Sequence, residues 1–388
     1  MSLSMIETVE NRPQPKAAPL VVHVVRQFLP NRGGLEDVVA NLARQTLKRG
    51  YRVRVVTLDS LFTTPDDKLP ALETIDGIEV VRIPWTGSSR YPLAPQVFRH
   101  IGDADLIHVH AIDFFFDALA WSRLLHRKPM IVTTHGGFFH TKKFLAIKKV
   151  WFRTLTRLSA MAYRRVVCCS ASDLNQFIQI VPDGIAIENG ADIGKFADAA
   201  SRRPERRIVT LGRFSVNKRL DHLLDAMTAL AKRDAGWHLD ILGAESDLDA
   251  ADVRREIAVR SLEKSVSLMI SPDNQTIRDV IAKASLFASA SEYEGFGLVA
   301  LEAMSAGLQP VLNSNEAYRV LAGRHEAIAL ADFTKPDAAA DAIEDAYRKV
   351  ATEGSALRES LMQAAHAYSW DAVAERYIDL YRSIEITI

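Results

Sequence analysis

Short runs of almost purely apolar residues recur along this chain, and each is followed by a turn and then by a segment of helical period. Leu20–Val25 is interrupted only by His23, as befits a parallel strand buried on both faces. Pro30-Asn31-Arg32-Gly33-Gly34 follows, and Leu35, Val38, Val39 and Leu42 then recur at helical spacing until Gly50 ends the helix. With the strand Val53–Thr57 this makes one βαβ unit. Leu106–Val109, Met130–Thr134 and Val166–Ser170 are further strands, and residues 198–206, built of Ala, Ser, Arg and Pro, read as a linker. The alternation then restarts. Strands at Ile208–Leu211, His238–Leu242, Val266–Ile270 and Ala284–Ala290 alternate with helices Arg219–Ala231, Ala250–Leu262 and Leu298–Ala306. The expected fold class is therefore α/β, with two doubly wound Rossmann-like domains. Expected bounds are a leader over 1–18, a first domain over 19–197, a second over 207–368 and a terminal helix over 369–388. That helix puts Trp370, Val373, Tyr377, Leu380 and Tyr381 on one face, which needs something to pack against.

Composition narrows the class. The 388 residues exceed one ordinary core and suit two domains. The longest candidate for a membrane span, Leu106–Leu125, is broken by His108, His110, Asp113 and Asp117. The N-terminus, with Glu7 and Glu10, does not read as a signal peptide. Cys168 and Cys169 are adjacent and make no disulfide framework, so a reduced, cytoplasmic compartment is expected. The net charge of zero hides an asymmetry: residues 1–200 hold 25 Lys and Arg against 19 Asp and Glu, and residues 201–388 hold 23 against 29. The basic half is the one expected to meet an anionic partner.

Candidate site residues cluster where ligands of open α/β sheets bind, outside the carboxyl ends of strands. Gly33 and Gly34 form a turn that can cradle a phosphate, although the GxGxxG fingerprint is absent. His110 ends one strand and precedes Asp113, and His135 ends another before Gly136-Gly137. Arg213 and Lys218 lie five apart in a strand-to-helix loop and can clamp a diphosphate. Glu294 and Glu302 flank Gly295-Phe296-Gly297 and the start of a helix. A carboxylate accepts two hydrogen bonds from a vicinal diol, so the pair suits a sugar and a ribose. Lys142–Arg165 carries eight cations and no acid, with Lys142, Lys149, Arg153, Arg157 and Arg164 on one narrow face and Phe144, Trp151, Leu155 and Leu158 opposite. That pattern fits a helix lying on an anionic membrane or facing a diphosphate. Asp103-x-Asp105 looks like a metal pair, but it precedes its strand and reads as a loop pair.

Taken in order and spacing, Gly33-Gly34, Arg213 with Lys218, Asn189-Gly190-Ala191-Asp192 and Glu294-x7-Glu302 closely resemble the retaining glycosyltransferases of family 4. The resemblance implies the GT-B fold, in which two such domains face a central cleft and the last helix returns to the first domain. Val24-Val25-Arg26-Gln27-Phe28, Gly87-Ser88-Ser89-Arg90-Tyr91-Pro92, Ile112-Asp113-Phe114-Phe115, Thr133-Thr134-His135-Gly136-Gly137-Phe138-Phe139-His140-Thr141 and Ser215-Val216-Asn217-Lys218 are similar to a bacterial exopolysaccharide α-mannosyltransferase subgroup. That likeness implies transfer of mannose from GDP-mannose to a polyprenyl-diphosphate-linked cellobiose. It also implies a peripheral position on the inner face of the plasma membrane, with no nucleic acid, no metal and no cofactor. By the same resemblance, Gly33, Gly34, Arg213, Lys218, Glu294, Gly295, Phe296, Gly297 and Glu302 would bind the donor. His135, Glu294, Arg213 and Lys218 would carry the chemistry. His110, Asp113, Lys142 and Lys143 would meet the acceptor, and Lys148, Lys149, Trp151, Arg153 and Arg157 the membrane. A family 4 transferase with another donor, such as UDP-glucose, and a nucleotide-sugar 2-epimerase of the same build stay open. One departure is visible: Gly307-Leu308-Gln309-Pro310-Val311 carries one residue more than the family's usual Gly-x-Pro-Val.

Overall fold

A computed structural model describes residues 18–135 and 150–385. The chain divides into two compact units, one running to Ile187 and resuming at Tyr377, the other spanning Glu188–Arg376.

The first unit is built on strands β1 (Leu20–Val24), β2 (Arg52–Leu58), β3 (Leu72–Ile75), β4 (Ile78–Ile83), β5 (Leu106–His110), β6 (Met130–Thr133), β7 (Arg165–Cys168) and β8 (Ile185–Ala186). They form one sheet in the order β8-β7-β6-β5-β1-β2-β4-β3. Every pair is parallel except β3 with β4. All five residues of β1 and all five of β5 are buried, which explains their uninterrupted apolar composition. The hairpin strand β3 has no such signature, since its side chains are exposed or half-buried.

The second unit holds β9 (Arg207–Leu211), β10 (His238–Gly243), β11 (Val266–Ile270), β12 (Leu286–Ser289), β13 (Gln309–Asn313) and β14 (Ala329–Ala331). Their order is β11-β10-β9-β12-β13-β14, parallel throughout. Two separate clusters of buried apolar residues cover its faces. Where β9 and β10 end together, a Cβ on Gly243 would overlap the carbonyl oxygen of Gly212, so only glycine lets the loop after β9 lie so close.

The stretch 198–206 is not a free linker. Backbone N–H groups of Asp198, Ala200 and Ser201 donate to Ser305, Ala306 and Ala284, and the Arg358 guanidinium donates to Asp198 and to the Ala200 carbonyl. Its polar composition is answered by partners of the second unit, and the passage between units falls earlier, after Ile187.

The last helix, Trp370–Glu385, buries Val373, Ala374, Tyr377, Ile378 and Tyr381. Its tyrosines supply polar ends inside a dry sheet face. The Tyr381 hydroxyl lies 2.8 Å from His108 Nδ1, and that of Tyr377 lies 3.1 Å from Thr133 Oγ1. Replacing Tyr381 with phenylalanine removes a partner of a fully buried imidazole, which should cost about 1–3 kcal/mol. Equilibrium urea unfolding of Tyr381→Phe measures this, and a midpoint equal to that of the unsubstituted protein would disprove the anchor.

Candidate active site

In the second unit the site grows from two loops at the carboxyl ends of β9 and β12. After β9, Gly212 takes φ +147°, and the single turn Val216–Lys218 turns the chain back. This turn is stitched to the loop after β12: the Glu292 N–H donates to the Asn217 carbonyl at 3.0 Å, and the Asn217 amide donates to the Tyr293 carbonyl at 2.7 Å. Asn313 and Asn315 both donate to the Ser291 carbonyl from the other side. The result is that Lys218 Nζ lies 2.6 Å from Glu294 Oε1, with both side chains partly covered. Lys218, Arg213, Ser289 and Ser291 line one small concavity. Arg213 is exposed, and among the described residues its side chain makes no hydrogen bond or ion pair.

Tyr318 escaped the sequence reading. Its hydroxyl donates to Glu294 Oε1 at 3.2 Å and lies 3.0 Å from Ser289 Oγ. Burial first, and then the Glu294 charge, hold that phenol far above its ordinary range, so it stays a neutral donor. The signal was indirect: Gly297 sits at φ +88°, and a Cβ there would come within 2.9 Å of the Tyr318 ring. Gly295, by contrast, has open space where a Cβ would stand, and Phe296 packs beside Tyr368 with ring centroids 5.8 Å apart. Gly297 precedes the helix Leu298–Ala306, whose first N–H groups have no side-chain cap; such a start attracts an anion.

The two glutamates have different surroundings. Glu294 is tied to a cation and a phenol, whereas Glu302, in the second turn of that helix, makes no side-chain hydrogen bond among the described residues. Burial raises its carboxyl; Lys195 opposes that rise and Asp192 reinforces it. A desolvated carboxylate without a partner is ready to accept hydrogen bonds from ligand hydroxyls.

In the first unit, His135 follows β6 in the left-handed region at φ +57°, a conformation that costs a non-glycine residue free energy and recurs at functional sites. Its Nε2 lies 2.9 Å from His110 Nδ1, and His110 Nε2 lies 2.9 Å from His23 Nδ1. Burial lowers His23 to about 3 and holds His108 and His110 well below the ordinary range. Burial and then the Arg26 cation lower His135 to about 3. All four rings are neutral at physiological pH. His110 is therefore corrected as an acceptor contact: it is fully buried and both ring nitrogens are taken. Asp113 is 2% exposed and caps the helix Phe114–Trp121 through the Phe115 N–H. Burial pushes its carboxyl up to about 7 despite Arg26, and its Oδ2 has no partner.

Gly33 precedes the helix Gly34–Lys48 in extended conformation. A Cβ on Gly33 would meet the Glu36 carboxylate at 2.6 Å, while Gly34 is open, so the turn admits close approach but carries an acid of its own. Asp103 pairs with Arg54, and Asp105 accepts from the Leu20 N–H, which explains the Asp-x-Asp spacing by local structure.

Lys142, Lys143, Lys148 and Lys149, with Gly136 and Gly137, lie outside the described residues. Trp151, Arg153 and Arg157 are described, and all are exposed. The face expected from a regular helix is not the one buried. The turn Phe152–Thr156 is π-wound, which shifts every later side chain relative to a 100° period. Phe152, Thr156, Ser159 and Ala160 face inward, while Trp151 and Leu158 join the arginines outside.

The family described as "Glycosyltransferase Family 4" matches residues 32–195, and "Glycosyl transferases group 1" matches residues 195–366. A GDP-mannose:cellobiosyl-diphosphopolyprenol alpha-mannosyltransferase of Komagataeibacter xylinus is 44% identical over 94% of this chain and 93% of its own length. The chain belongs to the family 4 glycosyltransferases. A Xanthomonas campestris protein of the same name is 43% identical to the transferase over 94% of the chain and 96% of its own length. A solved glycosyltransferase of Rickettsia africae ESF-5 superposes with TM-score 0.70 at 16% identity, covering 95% of this chain and 99% of that one. The fold is accordingly GT-B.

The neutral, fully buried rings of His23, His108 and His110 set a pH dependence. Their folded pKa values lie below that of a free histidine, so the unfolded transferase binds more protons between the two values, and stability is lost as pH falls below about 6.5. The raised Asp113 acts oppositely as pH climbs toward 7. Because three rings outweigh one carboxyl, urea midpoints should be lower at pH 5 than at pH 7.5, and a flat profile would contradict the buried neutral imidazoles.

Proposed function

We propose that this transferase moves mannose from GDP-mannose to a polyprenyl-diphosphate-linked cellobiose with retention of configuration. The observation that carries the reading is kinship over nearly the whole chain with transferases named for that donor and acceptor, joined to a Lys218–Glu294 pair at the carboxyl end of the second sheet. Lys218 has three N–H donors and spends one on Glu294, leaving two for diphosphate oxygens. Arg213, unpaired beside it, adds a planar fork. As the bond from the anomeric carbon to the diphosphate breaks, charge builds on the leaving group, and these fixed cations stabilise it without a metal. Glu294, steadied by Tyr318, accepts from hydroxyls of the transferred sugar, and Glu302 accepts from the ribose. The acceptor hydroxyl attacks from the face the diphosphate leaves, and its proton passes to the departing phosphate oxygen.

Lys218→Ala should remain folded, because Tyr318 still partners Glu294, and should lose at least about a hundredfold in turnover. Transfer of radiolabel from GDP-mannose to lipid-linked cellobiose, scored in the organic phase, measures both the assignment and the variant. Label moving equally well from UDP-glucose, or an undiminished Lys218→Ala rate, would refute the reading.

The first unit carries the membrane part of the proposal. Trp121, Leu124, Leu125, Trp151, Leu158 and Met161 are exposed apolar side chains, Leu124 and Leu125 by 85% and 87%. The Trp121 indole donates to Ser159, joining the two helical segments that bear them. Arg123, Arg127, Lys128, Arg153, Arg157 and Arg164 intersperse them without an acid, the pairing of apolar anchors and cations that suits an anionic bilayer surface. No helix among the described residues is long and apolar enough to cross a membrane. Binding to phosphatidylglycerol vesicles should weaken as salt rises and when Leu124 and Leu125 are both changed to Asp. Equal binding to neutral vesicles would rule this surface out.

A further inference from the structure

His23, His108 and His110 approach closely enough to hold a metal ion, yet five of their six ring nitrogens are already engaged. His108 meets Tyr381 and Thr133, His110 meets His23 and His135, and His23 spends its Nδ1 on His110. Only His23 Nε2 is unpartnered. A metal needs an in-plane lone pair from each ring, so the arrangement is built for something else.

A neutral imidazole has one donor and one acceptor. With neutral rings, the two contacts joining His23, His110 and His135 therefore have just two self-consistent directions. In one, His23 Nδ1–H donates to His110 Nε2, His110 Nδ1–H donates to His135 Nε2, and the proton of His135 stands on Nδ1. In the other, every proton stands on Nε2, and the chain ends on His23 Nε2–H, buried with no acceptor. Orphaned buried N–H groups are the rarest defect in folded proteins, so the first direction is favoured.

We propose that His23 and His110 are positioning residues that fix His135 as its Nδ1–H tautomer, presenting a hydrogen-bond donor at the carboxyl end of β6 to a hydroxyl of a bound substrate. The assignment of that hydroxyl rests on the function proposed above; the tautomer does not. No hydrogen bond engages His135 Nδ1 among the described residues, and the left-handed backbone at His135 holds the ring against His110.

The test uses full-length transferase labelled with 15N-histidine and long-range proton–nitrogen correlation of the ring nuclei, with the His135 signals assigned by their loss in His135→Gln. The expected spectrum, without substrate, shows His135 protonated at Nδ1. Protonation at Nε2, or an averaged pair, overturns the proposal, whatever sugar the enzyme transfers. In His110→Leu the His135 tautomer should become mixed, and kcat should fall about tenfold, roughly one positioning hydrogen bond, with KM for GDP-mannose within about twofold. His110→Asn places an amide donor near the lost Nδ1–H and should restore both tautomer and rate. An unchanged tautomer and kcat in a folded His110→Leu enzyme overturns the positioning role. Should that variant fail to fold, His23→Leu takes its place with the same expectations. A correct tautomer in an enzyme that transfers no mannose counts against the proposed function and leaves the histidine chain standing.

Discussion

A parallel sheet is covered on both faces, so a polar side chain inside it must find its partner in the sheet or in what packs on it, or else stand at the carboxyl edge where strands give way to loops. Most of what is unusual in this transferase follows from that constraint. In the first unit the strands Leu20–Val24 and Leu106–His110 place His23, His108 and His110 inside a fully buried face, and no water-exposed route satisfies them. They answer one another, and His108 takes one hydroxyl from Tyr381 of the last helix and one from Thr133, which Tyr377 meets in turn. In the second unit, Asp240 is wholly buried and is met by both arms of the Arg207 guanidinium at 2.6 and 2.9 Å. Glu294, Lys218 and His135 sit at the carboxyl edges, where the same rule leaves polar groups available to a ligand.

Much of this was legible because parallel strands advertise themselves. Leu20–Val25, Leu106–Val109 and Ile208–Leu211 each fall within a residue or two of the strand formed, and Leu298–Ala306 is the helix observed. What stayed hidden shares one cause: it depends on partners distant in sequence. The edge strand Leu72–Ile75 has no apolar signature because neither of its faces is fully covered. The 198–206 stretch reads as a linker by composition, yet its backbone donors find carbonyls about 80 to 110 residues later. Tyr318 and Asn315 lie beyond the glutamate pair in sequence and close behind it in space. In the segment that ends at Arg165 a π turn over Phe152–Thr156, which no residue pattern announced, changes the phase of the side chains that follow it, Leu158 among them.

Electrostatics separates the two glutamates that spacing alone made look equivalent. Glu294 is already bonded to Lys218 and Tyr318, so its orientation is held before any ligand arrives. Glu302 has its charged form penalised by burial and only Lys195 to offset that. Hydroxyl donors from a ligand would therefore gain more at Glu302, since they relieve an existing penalty, whereas at Glu294 they add to a carboxylate already satisfied on one oxygen.

The last helix ties the end of the chain to this chemistry through a shared strand. Tyr381 holds His108, and two residues further along the same strand His110 holds His135. The rings of His108 and His110 lie 4.1 Å apart, centroid to centroid, so one cannot reorient without disturbing the other. Loosening the helix would free a nitrogen of His108 inside a dry face and add a competing partner for the neighbouring ring. Energetic effects of changes in the helix and in the histidines should then fail to add, because they act on one hydrogen-bonded network rather than on independent contacts. On this reasoning the helix does more than cover apolar surface: it removes the alternative partners that would let the histidine chain choose its direction.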